Sequence, residues 1–162
     1  MGANTTKVPG SSDEVGLIVY PGVQLAALHG LTDLLLTANR VMADDAQDLA
    51  PTRVSHWALG ENDAAPVRVF ASFSGASGPL HALAVLPALA EPPSPDLAAP
   101  YLGWLRREHD AGVVLGSVCA GTFMLAETGL LDGRAATTHW MHADAFRHRF
   151  PKVRLEVARM LA

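Results

Sequence analysis

Gly112-Val-Val-Leu-Gly-Ser-Val-Cys119-Ala-Gly-Thr-Phe-Met-Leu-Ala126 sets the only cysteine of the chain between an apolar run and a helix-like stretch. Residues 113–115 read as a buried strand. From Ala120 onward, Phe123, Met124 and Leu130 recur at the core-facing spacing of a helix. Gly116, Ser117, Ala120 and Gly121 crowd the junction with small side chains, so the backbone can turn sharply and a ligand can come close. Strand, tight turn and helix make a nucleophile elbow, which presents one side chain above the end of a sheet. A thiol placed there meets unpaired helix N-terminal amides, which favour a thiolate. The other physical reading of a free cysteine is a small buried hydrophobe.

The segment that follows discriminates between them. Ala136-Thr-Thr-His139-Trp140 is strand-like and comes next after the elbow helix. A strand beside the elbow strand would carry His139 to the same edge of the sheet as Cys119. Outward from this pair, residues 14–20, 53–59 and 82–86 read as strands, and residues 23–42 carry helical periodicity through Leu25, Leu28, Leu31, Leu35 and Val41. Residues 67–70 read as one arm of a small hairpin with residues near Phe73. Residues 88–95 read as a proline-rich loop, and Asp96 as the cap of a helix ending near Asp110. Residues 140–150 suggest a helix stopped by Pro151, and residues 153–157 begin another strand. Strands alternating with helices predict an α/β three-layer sandwich with a mostly parallel central sheet.

Composition bounds the function. The 162 residues fit one domain, and 49% apolar content with 17% charged residues describes a globular chain. A net charge of -4 provides no general footprint for nucleic acid. Arg147, Arg149, Lys152, Arg154 and Arg159 cluster late in the chain and read as a solvated helix face and its following turn. One cysteine excludes an internal disulfide and suits a reducing compartment, so a cytoplasmic protein is expected, with no membrane partner. His56, His81, His109, His142 and His148 show no metal-ligand spacing, and neither a metal nor a cofactor is expected. Residues 1–13 read as a polar disordered tail before a single domain over 14–162.

The run Ser117-Val-Cys119-Ala-Gly-Thr, then Leu125-Ala-Glu-Thr-Gly-Leu-Leu-Asp-Gly-Arg134, then Ala136-Thr-Thr-His139-Trp140 resembles the DJ-1/PfpI superfamily, within it the amidotransferase-like N-terminal domain of AraC-type transcriptional regulators. The resemblance extends from Val15 to about Pro151 and implies a flavodoxin-like, amidotransferase-like sandwich. It implies a degenerate catalytic pair, Cys119 and His139, and a ligand pocket bounded by Cys119, Ala120, His139, Ala88 and Ala27. It also implies a further strand and helix to complete the domain beyond the 162 residues, and then a helix-turn-helix unit.

Two departures from the family pattern bear on chemistry. Enzymes of the superfamily place a carboxylate from the first helix against the cysteine, and Ala27 stands at that position here. Asp33 lies about one and a half helical turns further on, too far to replace it. The family's Pro-Gly-Gly, whose backbone donors face the cysteine, is Pro87-Ala88-Leu89 in this chain. Loss of an oxyanion donor lowers turnover by roughly two to three orders of magnitude. The resemblance with these departures predicts a non-catalytic domain that senses a small polar metabolite and dimerises in a regulator. DNA contact would come only through the C-terminal helix-turn-helix unit. A stand-alone cysteine hydrolase or glyoxalase-like enzyme is the alternative, and a degenerate structural remnant a third.

Overall fold

The computed structural model describes residues 12–44, 50–61, 65–74 and 77–159. Along the chain run β1 (Ser12–Ile18), α1 (Leu25–Asp44), β2 (Arg53–Leu59), β3 (Pro66–Ala71), β4 (Ser77–Val85), α2 (Pro95–Asp110), β5 (Val114–Ser117), α3 (Thr122–Glu127), β6 (Ala135–Ala136), α4 (Ala143–Arg149) and β7 (Arg154–Leu155). Five strands form one sheet in the order β3-β2-β1-β4-β5. β2, β1, β4 and β5 are mutually parallel, and β3 closes one edge antiparallel to β2.

Successive side chains of a strand point to opposite faces, so neighbours in β2 reveal which helix covers which side. His56 meets Thr32 of α1, whereas Trp57 packs its ring 5.3 Å from that of Trp104 in α2. The two helices therefore lie on opposite faces, as right-handed crossovers leaving β1 and β4 in opposite directions require. The crossovers diverge at the carboxyl ends of β1 and β4, where open α/β sheets hold their ligands. Leu17, Ile18, Leu83, Val85 and Leu86 fill the core beneath that end. At the far end, buried Glu14 accepts from Nη1 of Arg68 at 3.0 and 3.2 Å, beside Arg53 at 3.9 Å.

Several elements differ from the sequence expectation. The expected tail over 1–13 lies outside the described residues as far as residue 11, but Ser12 and Asp13 belong to β1. The partner of β3 is β2, through pairs such as His56↔Phe70 and Ala58↔Val67, and not residues near Phe73. Ser94, whose hydroxyl accepts from the Leu97 amide, caps α2 in place of Asp96, which sits in the first turn. Ser94 precedes Pro95, and proline suits the opening helical position because its missing N–H has no intrahelical partner to lose.

The late basic residues do not form one solvated face. Arg149 turns inward: its Nε donates to Glu127 at 2.7 Å, its Nη1 to the Pro93 carbonyl at 2.9 Å, and its guanidinium covers the Phe123 and Phe150 rings. No helix of the described residues is long and apolar enough to cross a membrane.

Candidate functional site: a strained cysteine elbow and its cavity

β5 ends at Ser117, and the chain then reverses through Val118 into a 3-10 turn, Cys119–Gly121, that leads directly into α3. Among the described residues, Cys119 is the only non-glycine with positive φ, at 54°. That region crowds a Cβ and is stable only where the surroundings over-determine it.

Three sets of contacts do so. The Val118 amide donates to Val85 at 2.9 Å, anchoring the turn to the end of β4, and the Gly121 amide donates back to Val118. Gly121 itself lies against β4: a Cβ there would meet the Val85 carbonyl oxygen and come within 2.6 Å of that of Leu86. The third contact is Thr138, whose hydroxyl donates to the Cys119 carbonyl at 3.0 Å.

Thr138 shows how His139 reaches the elbow, and it is not by the expected route. β6 spans only two residues and pairs with β7 in a separate two-stranded sheet, so no ladder joins it to the elbow strand. Side-chain hydroxyls make the junction. Thr122 donates to the Thr137 carbonyl at 2.9 Å and lies 3.0 Å from the Ser117 hydroxyl, while Thr138 holds Cys119. The threonines therefore perform the positioning that a neighbouring strand was expected to perform.

His139 follows and caps a 3-10 turn, Trp140–His142, its Nδ1 accepting from the Met141 amide at 3.2 Å. An amide N–H can only donate, so Nδ1 carries no proton and the neutral ring bears its hydrogen on Nε2. In this arrangement the histidine offers a donor rather than a base. Among the described residues, no hydrogen bond joins its ring to the Cys119 thiol.

Cys119 and His139 nonetheless line one cavity of about 370 Å³, with Thr137, Thr138, Trp140, Val157 and Arg159 as its other walls. Trp140 is 72% exposed, a large ring left facing this opening. The remaining residues singled out in the sequence do not line it. Ala120 is buried next to the thiol, Ala88 bridges to Val23, and Ala27 is half-buried in the opening turn of α1. The Pro87–Leu89 stretch is engaged with the loop after β1: Gln24 donates to the Pro87 carbonyl, and the Leu89 amide donates to Gly22. Among the described residues, no group of three or more His, Cys, Asp or Glu could hold a metal ion.

Tyr20, Thr122 and Thr138 are residues around the site that the sequence did not single out, and Arg159, expected on a solvated face, lines the cavity. Tyr20 ends the segment after β1, is buried, and donates to the Leu86 carbonyl at 2.7 Å. Burial, then the neighbouring Cys119 and Tyr101, push its phenol well above its usual range, so it stays neutral beside the thiol. The available signal was its place before Pro21-Gly22 at the carboxyl end of a parallel strand.

The elbow and its histidine segment match the DJ-1/PfpI family over residues 83–153. An uncharacterized protein in the cpoL 5' region of Streptomyces lividans is 35% identical over 144 residues, covering 85% of this chain and 94% of that relative. The chain belongs to the DJ-1/PfpI family. The HTH-type transcriptional regulator CdhR of Pseudomonas aeruginosa is 31% identical over 147 residues, which are 88% of this chain but only 41% of the regulator. The HTH-type regulator GlxA of Rhizobium meliloti is 42% identical over a shorter stretch of 57 residues. The family fold recurs in an AraC family transcriptional regulator from Pseudomonas putida (TM-score 0.62, 21% identity, 89% of this chain and 76% of that one). It recurs also in Drosophila melanogaster DJ-1beta (TM-score 0.59, 14% identity, 91% of this chain and 75% of that one). Homologues of this domain thus occur within larger transcriptional regulators.

Proposed function

We infer that the chain is the ligand-sensing domain of an AraC-type transcriptional regulator and that its cysteine site binds without turning over. The observation that carries this reading is the His139 ring. Its Nδ1 is held by the Met141 amide and, among the described residues, no hydrogen bond joins the ring to the Cys119 thiol, so the contact a general base would need is not made. Ala27, at the position of the family's acid, supports the same reading, because no carboxylate from α1 reaches the thiol cavity. Sensing then works by differential affinity: a small polar metabolite in the cavity stabilises one arrangement of a homodimer over another. DNA contact belongs to a separate helix-turn-helix domain of the kind that the regulator relatives carry in their names.

The test is a thermal-shift screen of small metabolites against the wild type and Cys119→Trp, which fills the cavity. A ligand at about 100 times its Kd stabilises the folded state by roughly 2.7 kcal/mol, an easily read rise in Tm. The expected result is a ligand whose shift disappears in Cys119→Trp, together with no turnover of ester or 2-oxoaldehyde substrates above Cys119→Ser. A shift that survives the filled cavity places the ligand elsewhere.

A stand-alone cysteine enzyme is the second reading, favoured by the positive φ of Cys119 at a nucleophile elbow. The Streptomyces lividans relative, 94% of which is covered by this domain, is in keeping with it. Turnover by the wild type that Cys119→Ser abolishes without loss of folding establishes that reading instead.

A further inference from the structure

Part of the cavity wall is made by the segment after β7, and that part has a chemical character of its own. Among the described residues, Arg159 is the only formally charged one lining the cavity, and none of those lining it carries a carboxylate. The Arg159 side chain is 70% exposed, and its Nε lies 3.1 Å from Glu156 in an ion pair without a hydrogen bond, which leaves its N–H groups as donors. Its main chain is tied down, since the Thr137 hydroxyl donates to the Arg159 carbonyl at 2.9 Å. The carbonyl of Thr137 in turn accepts from Thr122, within the turn that follows Cys119. One threonine therefore ties the Arg159 main chain to the turn that carries the thiol.

The donors that remain for a ligand share a sign. Nε2–H of His139 is free of its own ring's hydrogen bond, and the guanidinium is permanently charged. The Thr137 and Thr138 hydroxyl protons are both spent on main-chain carbonyls. Trp140 and Val157 supply apolar surface beside them. A small volume with one cation, one N–H donor and an apolar wall matches a monoanion carried on a small organic body.

We propose that the Cys119 cavity selects small carboxylates, with Arg159 as the selecting cation and Thr137 as the residue that positions it. This rests on the reading of the cavity as a ligand site, and deepens it by assigning the ligand's charge.

The only cysteine of the chain makes the test direct. Iodoacetate and iodoacetamide alkylate a thiolate by the same displacement: the S–C bond forms, the C–I bond breaks and iodide leaves. They differ by one carboxylate. Second-order rates for both are measured by intact mass on the purified chain at pH 8 and low salt, and again in 8 M urea. The expected ratio of iodoacetate to iodoacetamide is higher in the folded chain than in urea. Arg159→Gln lowers the folded ratio by about two- to fivefold, the scale of one partly exposed charge, and added salt shrinks the difference. Thr137→Val lowers it as well, while Thr137→Ser, which keeps the hydroxyl, preserves it.

A ratio unchanged by Arg159→Gln, with both reagents reacting in the folded wild type, overturns the carboxylate assignment and leaves the ligand site standing. A folded thiol that neither reagent reaches overturns the accessible cavity and this inference together.

Discussion

Adding one methyl group at Gly121 should break the coupling between elbow and sheet. Gly121 has φ −58° and ψ −23°, a conformation alanine adopts freely, so any loss in Gly121→Ala is steric and not torsional. The new Cβ meets the carbonyl oxygens of Val85 and Leu86, both main-chain atoms at the end of β4. Neither can rotate away as a side chain would, so the turn must lift from the strand. Overpacking of this kind costs about 1–3 kcal/mol. The same two carbonyls accept from the Val118 amide and the Tyr20 hydroxyl, and displacing them weakens two hydrogen bonds worth about 1 kcal/mol each. Against this, alanine loses less backbone freedom than glycine on folding, a gain of about 0.5–1 kcal/mol. The net expectation is a loss of about 3 kcal/mol, or a fall in Tm of roughly 6–12 °C for a domain of this size. Urea unfolding with an unchanged m-value measures it. A loss below about 1 kcal/mol would show that the elbow is not wedged against β4, and the account of how Cys119 is held would fail.

Gly30 provides the opposite case: it lies inside α1 with nothing within 4 Å of its would-be Cβ, so Gly30→Ala should stabilise by about 0.5–1 kcal/mol in the same assay. His56 should make stability depend on pH. Burial, then the nearby His29, hold its pKa below the ordinary 6.5, so on acidification the unfolded chain takes up the proton before the folded one. Its contribution is complete above about pH 6.5 and is lost as pH falls toward the lowered folded value; urea midpoints from pH 8 to 5 should decline, less steeply in His56→Gln. The Thr32 hydroxyl donates to Leu28 at 2.7 Å, so at 2.9 Å it accepts from Nε2–H of His56, and Thr32→Val should cost about 1–3 kcal/mol by stranding that donor. Arg149→Lys should destabilise by about 1–2 kcal/mol, because an ammonium cannot serve Glu127, Pro93 and two aromatic faces at once, while Arg147→Lys on the exposed side of α4 should change stability by less than about 0.5 kcal/mol.

The local features of this chain were legible without coordinates. Strand β2 falls on residues 53–59 as read from the sequence, and the elbow announces itself through small residues around one cysteine, because sharp turns and close approach restrict side-chain size within a few residues. Membership of the DJ-1/PfpI family was legible for the same reason, since its motifs are contiguous.

What required the tertiary structure was every choice of partner. Val67 and Phe70 have a strand's composition whether they pair with β2 or with Phe73, and pairing is settled by edges that only the assembled sheet exposes. Arg149 and Arg147 look alike in sequence, yet about half a turn of helix puts the first over aromatic rings and the second in solvent. The segment before His139 was tied to the elbow by threonine hydroxyls spanning gaps of 15 and 19 residues, a link with no periodicity to read. The His139 tautomer followed from an amide two residues on, which points at Nδ1 only once the chain has turned. Periodicity records which way a side chain faces relative to its own backbone; what it finds there is decided by the rest of the fold.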